Sequence, residues 1–93
     1  MINICISKNK VTIKGHSGYA EVGKDIVCAG VSALFYAFSG YLEKKECLNG
    51  TLAEAGKAVI TFTDEGKEGL LMFTEGVNGI AEAYPEFVKV INK

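Results

Sequence analysis

"KVTIKGHSGYAEVGKDIVCAGVSAL", Lys10 to Leu34, changes its period partway along, and that change decides the fold. Val11 and Ile13 alternate with Thr12 and Lys14, the two-residue repeat of a half-buried strand. From Asp25 onward the apolar residues suit a helix, with Asp25 as its N-cap. Between strand and helix lies a loop with glycines at 15, 18 and 23, and it carries His16, the chain's one histidine. A strand that continued to residue 16 would place His16 on the face of Thr12 and Lys14, away from the core.

Working outward, Ile2, Ile4 and Ile6 alternate with Asn3, Cys5 and Ser7, so the first two strands read as a hairpin turned at "KNK". The helix from Asp25 to about Leu42 is apolar nearly all round, which predicts burial on several sides. Its small residues Ala29, Gly30, Ala33 and Ala37 would let other backbone approach closely. Glu43 to Gly50 reads as a polar loop. "TLAEAGKAVITFTDEG" predicts a second hairpin turned near Gly56, with a strand from about Lys57 to Thr63. Leu70, Phe73, Val77, Ile80 and Tyr84 then form an amphipathic helical stripe. Gly66, Gly69, Gly76 and Gly79 weaken that helix by about 1 kcal/mol each relative to alanine in a helix interior. Pro85 ends it, and "EFVKVIN" is a short last strand. The order ββαββαβ gives an α+β fold, with two helices on a largely antiparallel sheet, in a single domain over residues 1–93.

The totals narrow the function. The chain has 93 residues, of which 48% are hydrophobic, and a net charge of −1. That charge offers no overall basic surface, so direct nucleic-acid binding is not expected. The N-terminus lacks the pattern of a signal peptide, and the longest apolar run, about Ile26 to Leu42, falls short of a membrane span. A cytoplasmic protein is expected. Cys5, Cys28 and Cys47 are odd in number and lack close spacing, which argues against a disulfide framework and against a zinc site. Cys5 reads as packing in a strand, and Cys47 as a tolerated surface thiol in a charged loop.

Three chemical readings compete for the glycine loop. Gly18 to Lys24 fits G-x-x-x-x-G-K between a strand and a helix, as in phosphate-binding loops. The next residue would have to be Ser or Thr to hold magnesium, yet it is Asp25, and Glu21 adds further negative charge. The second reading makes Cys28 a nucleophile. With Asp25 as N-cap, Cys28 is the third helical residue, in the positive field of the helix N-terminus, a place that favours a thiolate. His16 is the available imidazole base. Backbone N–H groups at the same helix end could hold an oxyanion, although a cap by Asp25 occupies one of them. Asp25 helps such a site only by capping the backbone or by orienting His16. The third reading is that Cys28 simply packs, as buried cysteines commonly do. The aromatic group Phe35, Tyr36, Phe38 and Tyr41 spans more than one helix face, so part of it is a candidate homodimer surface.

The residues "GHSGYAEVGKDIVCAGVSAL" resemble the signature of the ribosomal-processing cysteine protease (Prp) family. In that family a histidine ends the second strand, a mobile glycine loop follows, and D-I-V-C-A opens the first helix. The resemblance implies that Cys28 is the catalytic nucleophile and His16 its base, with Asp25 the characteristic acid and Ser32 the serine one turn on. Gly15, Gly18 and Gly23 would be the loop's hinges, and Tyr19 and Val22 its contacts with substrate. "YPEFVKV" is similar to the family's closing segment. Ser17 departs from the alanine that is usual there, and Gly30 from a second alanine. No usable resemblance covers Glu43 to Ala55, so substrate choice is open to differ. The family's members are homodimeric cytoplasmic endopeptidases of Firmicutes and related bacteria. They remove the N-terminal extension of large-subunit ribosomal protein 27, cutting after an aromatic and apolar motif. The resemblance therefore implies a peptide substrate, a homodimer, and no metal or organic cofactor. Two further readings stay open: a phage-encoded relative that processes capsid or scaffold protein, and a non-catalytic dimeric interaction module.

Overall fold

The computed structural model describes residues 1–21 and 24–93, and Val22 and Gly23 lie outside the described residues. Its elements follow the expected order: β1 (Ile2–Ile6), β2 (Lys10–Lys14), α1 (Ile26–Lys44), β3 (Leu48–Glu54), β4 (Lys57–Phe62), α2 (Lys67–Ala83) and β5 (Val88–Asn92). A 3-10 turn, Asp64–Gly66, leads into α2. The five strands form one sheet in the order β3-β4-β2-β1-β5. Three ladders are antiparallel, while β5 returns through α2 to lie parallel to β1. This mixed sheet with two helices is the α+β arrangement that the periodicity predicts.

Alternation along the strands sends one set of side chains into a single core. Ile2, Ile4, Ile6, Val11, Ile13, Ile60, Phe62 and Val88 are buried, and the helices cover this face. From α1 come Val27, Val31, Phe35, Phe38 and Leu42; from α2 come Phe73 and Val77. Phe38 is central, edge-on to Phe62 at 5.2 Å and stacked on Phe73 at 5.4 Å between ring centroids. Leu70, Ile80 and Tyr84 complete the stripe of α2 as half-buried residues.

Several expectations need correction. α1 buries one stripe rather than several sides, and Ile26, Ala29, Ala33, Tyr36 and Ala37 are exposed. At 19 residues α1 is long and apolar enough to span a membrane. Its stripe instead packs into the core of the sheet. The loop after it is only Lys45–Cys47, because β3 already begins at Leu48. Cys47 is not a surface thiol. It is 1% exposed, its backbone N–H donates to Leu42 O at 3.0 Å, and it joins the core. The polar character of "EKKEC" hid a tight turn in which Glu46 adopts φ 57 and folds the thiol inward.

The glycines of α2 also change meaning. A Cβ on Gly69 would clash with the Tyr41 ring, and one on Gly76 would come within 2.8 Å of the Leu34 methyls. Across the same interface, Gly30 of α1 faces Ile80 of α2. These positions let the two helices close on each other. Gly79, in contrast, has open space around it. Two opposite outcomes are therefore expected in urea denaturation. Gly79→Ala stabilises by about 0.5–1 kcal/mol, the helix-propensity gain. Gly69→Ala destabilises by about 1–2 kcal/mol, because overpacking outweighs the same gain.

Candidate active site

β2 stops at Lys14, so His16 lies beyond the strand and is exposed. Gly15 turns the chain there with φ +93, and a Cβ on it would collide with the Met1 carbonyl, so glycine is required on both counts. Its N–H donates to Gly56 O at 2.9 Å, which fastens the start of the loop to the β3–β4 hairpin. Gly56, with φ +77, also lies under the imidazole; a Cβ there would sit 3.4 Å from His16 Nε2. The hairpin turn was legible in the sequence, but its contact with His16 was not, because nothing local couples residues 40 apart.

Asp25 caps α1 as expected, its Oδ1 accepting the Cys28 backbone N–H at 2.9 Å. Its other oxygen, Oδ2, accepts the Ser17 hydroxyl. Both carboxylate oxygens are thus engaged by the loop and the helix end. The Ser17 hydroxyl oxygen accepts in turn the Tyr19 N–H at 3.1 Å. The backbone N–H of Ser17 donates to Cys28 Sγ at 3.4 Å. Ser17 is 3% exposed, the one buried polar side chain among the described residues. Sequence reasoning saw Ser17 only as a departure from alanine; its signal was a hydroxyl beside a cap that has a second oxygen to fill.

Cys28 is half-buried at the junction of two depressions. One runs between α1 and the β3–β4 hairpin, over Ile13, Val31, Phe35 and Ala58. The other lies between the loop and the first turn of α1, over Gly18, Ala20, Ile26 and Ala29. His16, Cys28 and Ser32 line both, so the structure gathers these three expected site residues at one place. A thiol, an imidazole and a hydroxyl at the meeting of two mainly apolar depressions suit attack on an extended chain lying across them. Tyr19 is placed differently. Its ring packs edge-on against Tyr84 at 5.5 Å and Phe87 at 5.4 Å, anchoring the loop to the segment between α2 and β5. Gly18 has φ +72 and open surroundings, as a loop hinge requires. The expectations for Val22 and Gly23 fall outside the described residues.

The Ser17 hydroxyl and then the Cys28 N–H hold the Asp25 carboxyl down at about 2, against an ordinary value of 3.8. Because the folded-state value is depressed, the cap's stabilisation is complete above about pH 4. It is lost as pH falls through about 2. Ser17→Ala removes the donor that lowers it most. The Asp25 carboxyl, followed by NMR titration, is then expected to titrate at a higher pH, and acid unfolding begins earlier.

Comparisons with known proteins bear on the family and the fold. The model of the family Cysteine protease Prp matches residues 1–89. The ribosomal processing cysteine protease Prp of Mycoplasma genitalium is 32% identical over 100% of this chain and 96% of its own length. Its counterpart in Mycoplasma pneumoniae is 28% identical over 95% and 91%. Among solved structures, the S. aureus ribosomal processing protease Prp, in complex with a covalently linked product peptide, superposes with a TM-score of 0.91 at 24% identity. It covers the whole of both chains. With a family match over residues 1–89 and the expected fold, the chain belongs to the cysteine protease Prp family.

Proposed function

We propose that the chain is an endopeptidase that removes the N-terminal extension of large-subunit ribosomal protein 27, cutting after an aromatic and apolar motif with a Cys28–His16 dyad. The observation that carries this reading is that both side chains line the same two depressions, at the capped N-terminus of α1. The names of the mycoplasma relatives favour a ribosomal substrate over a phage one.

In the mechanism, Cys28 Sγ attacks the scissile carbonyl carbon, and a tetrahedral oxyanion forms. His16 takes the thiol proton and gives it to the leaving amine, which departs to leave a thioester. Water, deprotonated by His16, then attacks the thioester and releases the acid and the thiol. The N–H of Cys28 itself is engaged by Asp25. The donor closest to the chemistry is therefore the Ser17 N–H. It supports negative charge on sulfur before attack and is near enough to turn to the oxyanion after it. Asp25 acts through the backbone: it holds the helix end and, through Ser17, the loop. Gly15 and Gly18 let the loop re-form around bound peptide.

The same reading makes the protein a cytoplasmic homodimer. Three free thiols suit a reducing compartment, and the exposed residues Ala33, Tyr36 and Ala37 give α1 an outward apolar surface suited to a second copy. Sedimentation velocity is expected to show a dimer that Ala33→Glu converts to monomer.

A peptide spanning the extension, analysed by mass spectrometry, is expected to be cut once. Cys28→Ala should abolish the cut, and His16→Ala should lower kcat/KM by about 100- to 10,000-fold, the span of general-base contributions. Cleavage that survives in Cys28→Ala would refute the dyad.

A further inference from the structure

The uncovered face of the sheet has a charge pattern that the proteolytic reading leaves unexplained. Strand register aligns its outward residues in rows. One row reads Lys89, Asn3, Lys14 and Lys57 across β5, β1, β2 and β4, and ends at Glu54 on β3. The next reads Ile91, Cys5, Thr12, Val59 and Leu52. A third carries Lys10 beside Thr61. Lys10, Lys14, Lys57 and Lys89 are all exposed, and Glu54 is the one acid in these rows. The face is therefore basic even though the chain carries 11 acids and a net charge of −1.

Solubility alone does not account for this. Lysine protects exposed sheet edges from pairing, but the edges here are β3 and β5. Lys10 and Lys14 lie on β2, and Lys57 lies on β4, all inside the sheet. Lys14 and Lys57 are direct cross-strand partners, an arrangement of like charges that costs stability. A bound anion removes that cost. Two strand steps separate Lys89 from Lys14, about 10 Å, and four residues along β2 separate Lys14 from Lys10, about 13 Å. The lysines thus form a broad array rather than a pocket, with a mainly apolar row between them.

We propose that this face docks the phosphate backbone of RNA. A spread of single positive charges suits repeating phosphates, and the mainly apolar middle row, with Thr12 its one hydroxyl, can lie against the carbon faces of sugars. No aromatic residue occurs in the three rows, so base stacking contributes nothing and binding is independent of sequence. The choice of RNA among polyanions rests on the reading that the substrate is a ribosomal protein, whose assembled form lies against RNA. Net charge, which argued against nucleic acid, averages over two faces of opposite character.

The test is fluorescence anisotropy of a labelled, mixed-sequence RNA duplex titrated with the full chain at several KCl concentrations. With four phosphate contacts, log K is expected to fall against log salt with a slope of about −3.6. Lys10→Gln/Lys89→Gln should weaken binding about tenfold and make the slope shallower by about 2. Thermal melting of this variant should match the parent, as should its cleavage of the peptide substrate. Lys10→Glu/Lys89→Glu should abolish binding. The proposal is overturned if the parent does not bind at low salt, or if the glutamine variant binds as the parent does. It is also overturned if poly-glutamate binds as tightly as the RNA, which would point to an acidic protein partner. The measurement needs no cleavage, so its failure is separate from a failure of the ribosomal-substrate reading.

Discussion

The two oxygens of Asp25 join the parts of this protein that have to cooperate. One holds the first turn of α1 through the Cys28 N–H, and the other holds the loop through the Ser17 hydroxyl. Without the first, the helix end that carries the thiol frays. Without the second, the Ser17 N–H has no reason to remain at the sulfur. The loop's outer end is held by other means, the Tyr19 ring resting on Tyr84 and Phe87. A carboxylate so near the Cys28 sulfur would oppose thiolate formation if it were unpaired. Both of its oxygens are instead spent on donors, which spreads its charge and leaves the amide dipoles nearest the sulfur favourable.

Packing explains why the site can sit at the edge of so small a domain. Glycines at 69 and 76 let α2 approach the Tyr41 and Leu34 side chains of α1. That approach lets two helices cover one face of a five-stranded sheet around Phe38, Phe62 and Phe73. α1 is consequently fixed along its length by its buried stripe, while its first turn projects beside the loop and hairpin. The Asp25 cap and the buried Val27 hold that first turn in place, with Cys28 at the border of both depressions. The same economy leaves the other sheet face bare. Its charge pattern is then free to serve a role separate from folding.

Much of this was legible in the sequence where the relevant interactions are local. The period-two strands, the Asp25 cap, the stripe of α2 and the stop at Pro85 each depend on neighbours a few residues apart. Residue type and helix position singled out Cys28 and His16, the family resemblance supplied their expected roles, and the structure brings both side chains to the same two depressions. What sequence missed was set by distant partners. Gly69 looked like a weak point in a helix because the Tyr41 ring that fills its missing side chain lies 28 positions earlier. Cys47 looked exposed because its neighbours are charged, although the turn at Glu46 points it inward. α1 looked buried all round because many of its exposed residues, Ile26, Ala29, Ala33, Tyr36 and Ala37 among them, are apolar too.

The basic face shows the same limit in electrostatic form. A net charge counts every acid against every lysine, but at physiological salt fields fade over about 8 Å. A ligand on the open face is therefore governed by Lys10, Lys14, Lys57 and Lys89, and hardly by the acids of α2 beyond the core. Register makes the difference, because it brings four lysines from three strands into two rows of one face. Lys57 and Glu54 also border the depression that contains Cys28 and His16, so the basic rows and the proposed catalytic groove are continuous at the β3–β4 hairpin. An RNA strand held on the open face would reach the groove's margin without entering it. A protease arranged in this way could engage a precursor's extension and the anionic surface beside it at the same time.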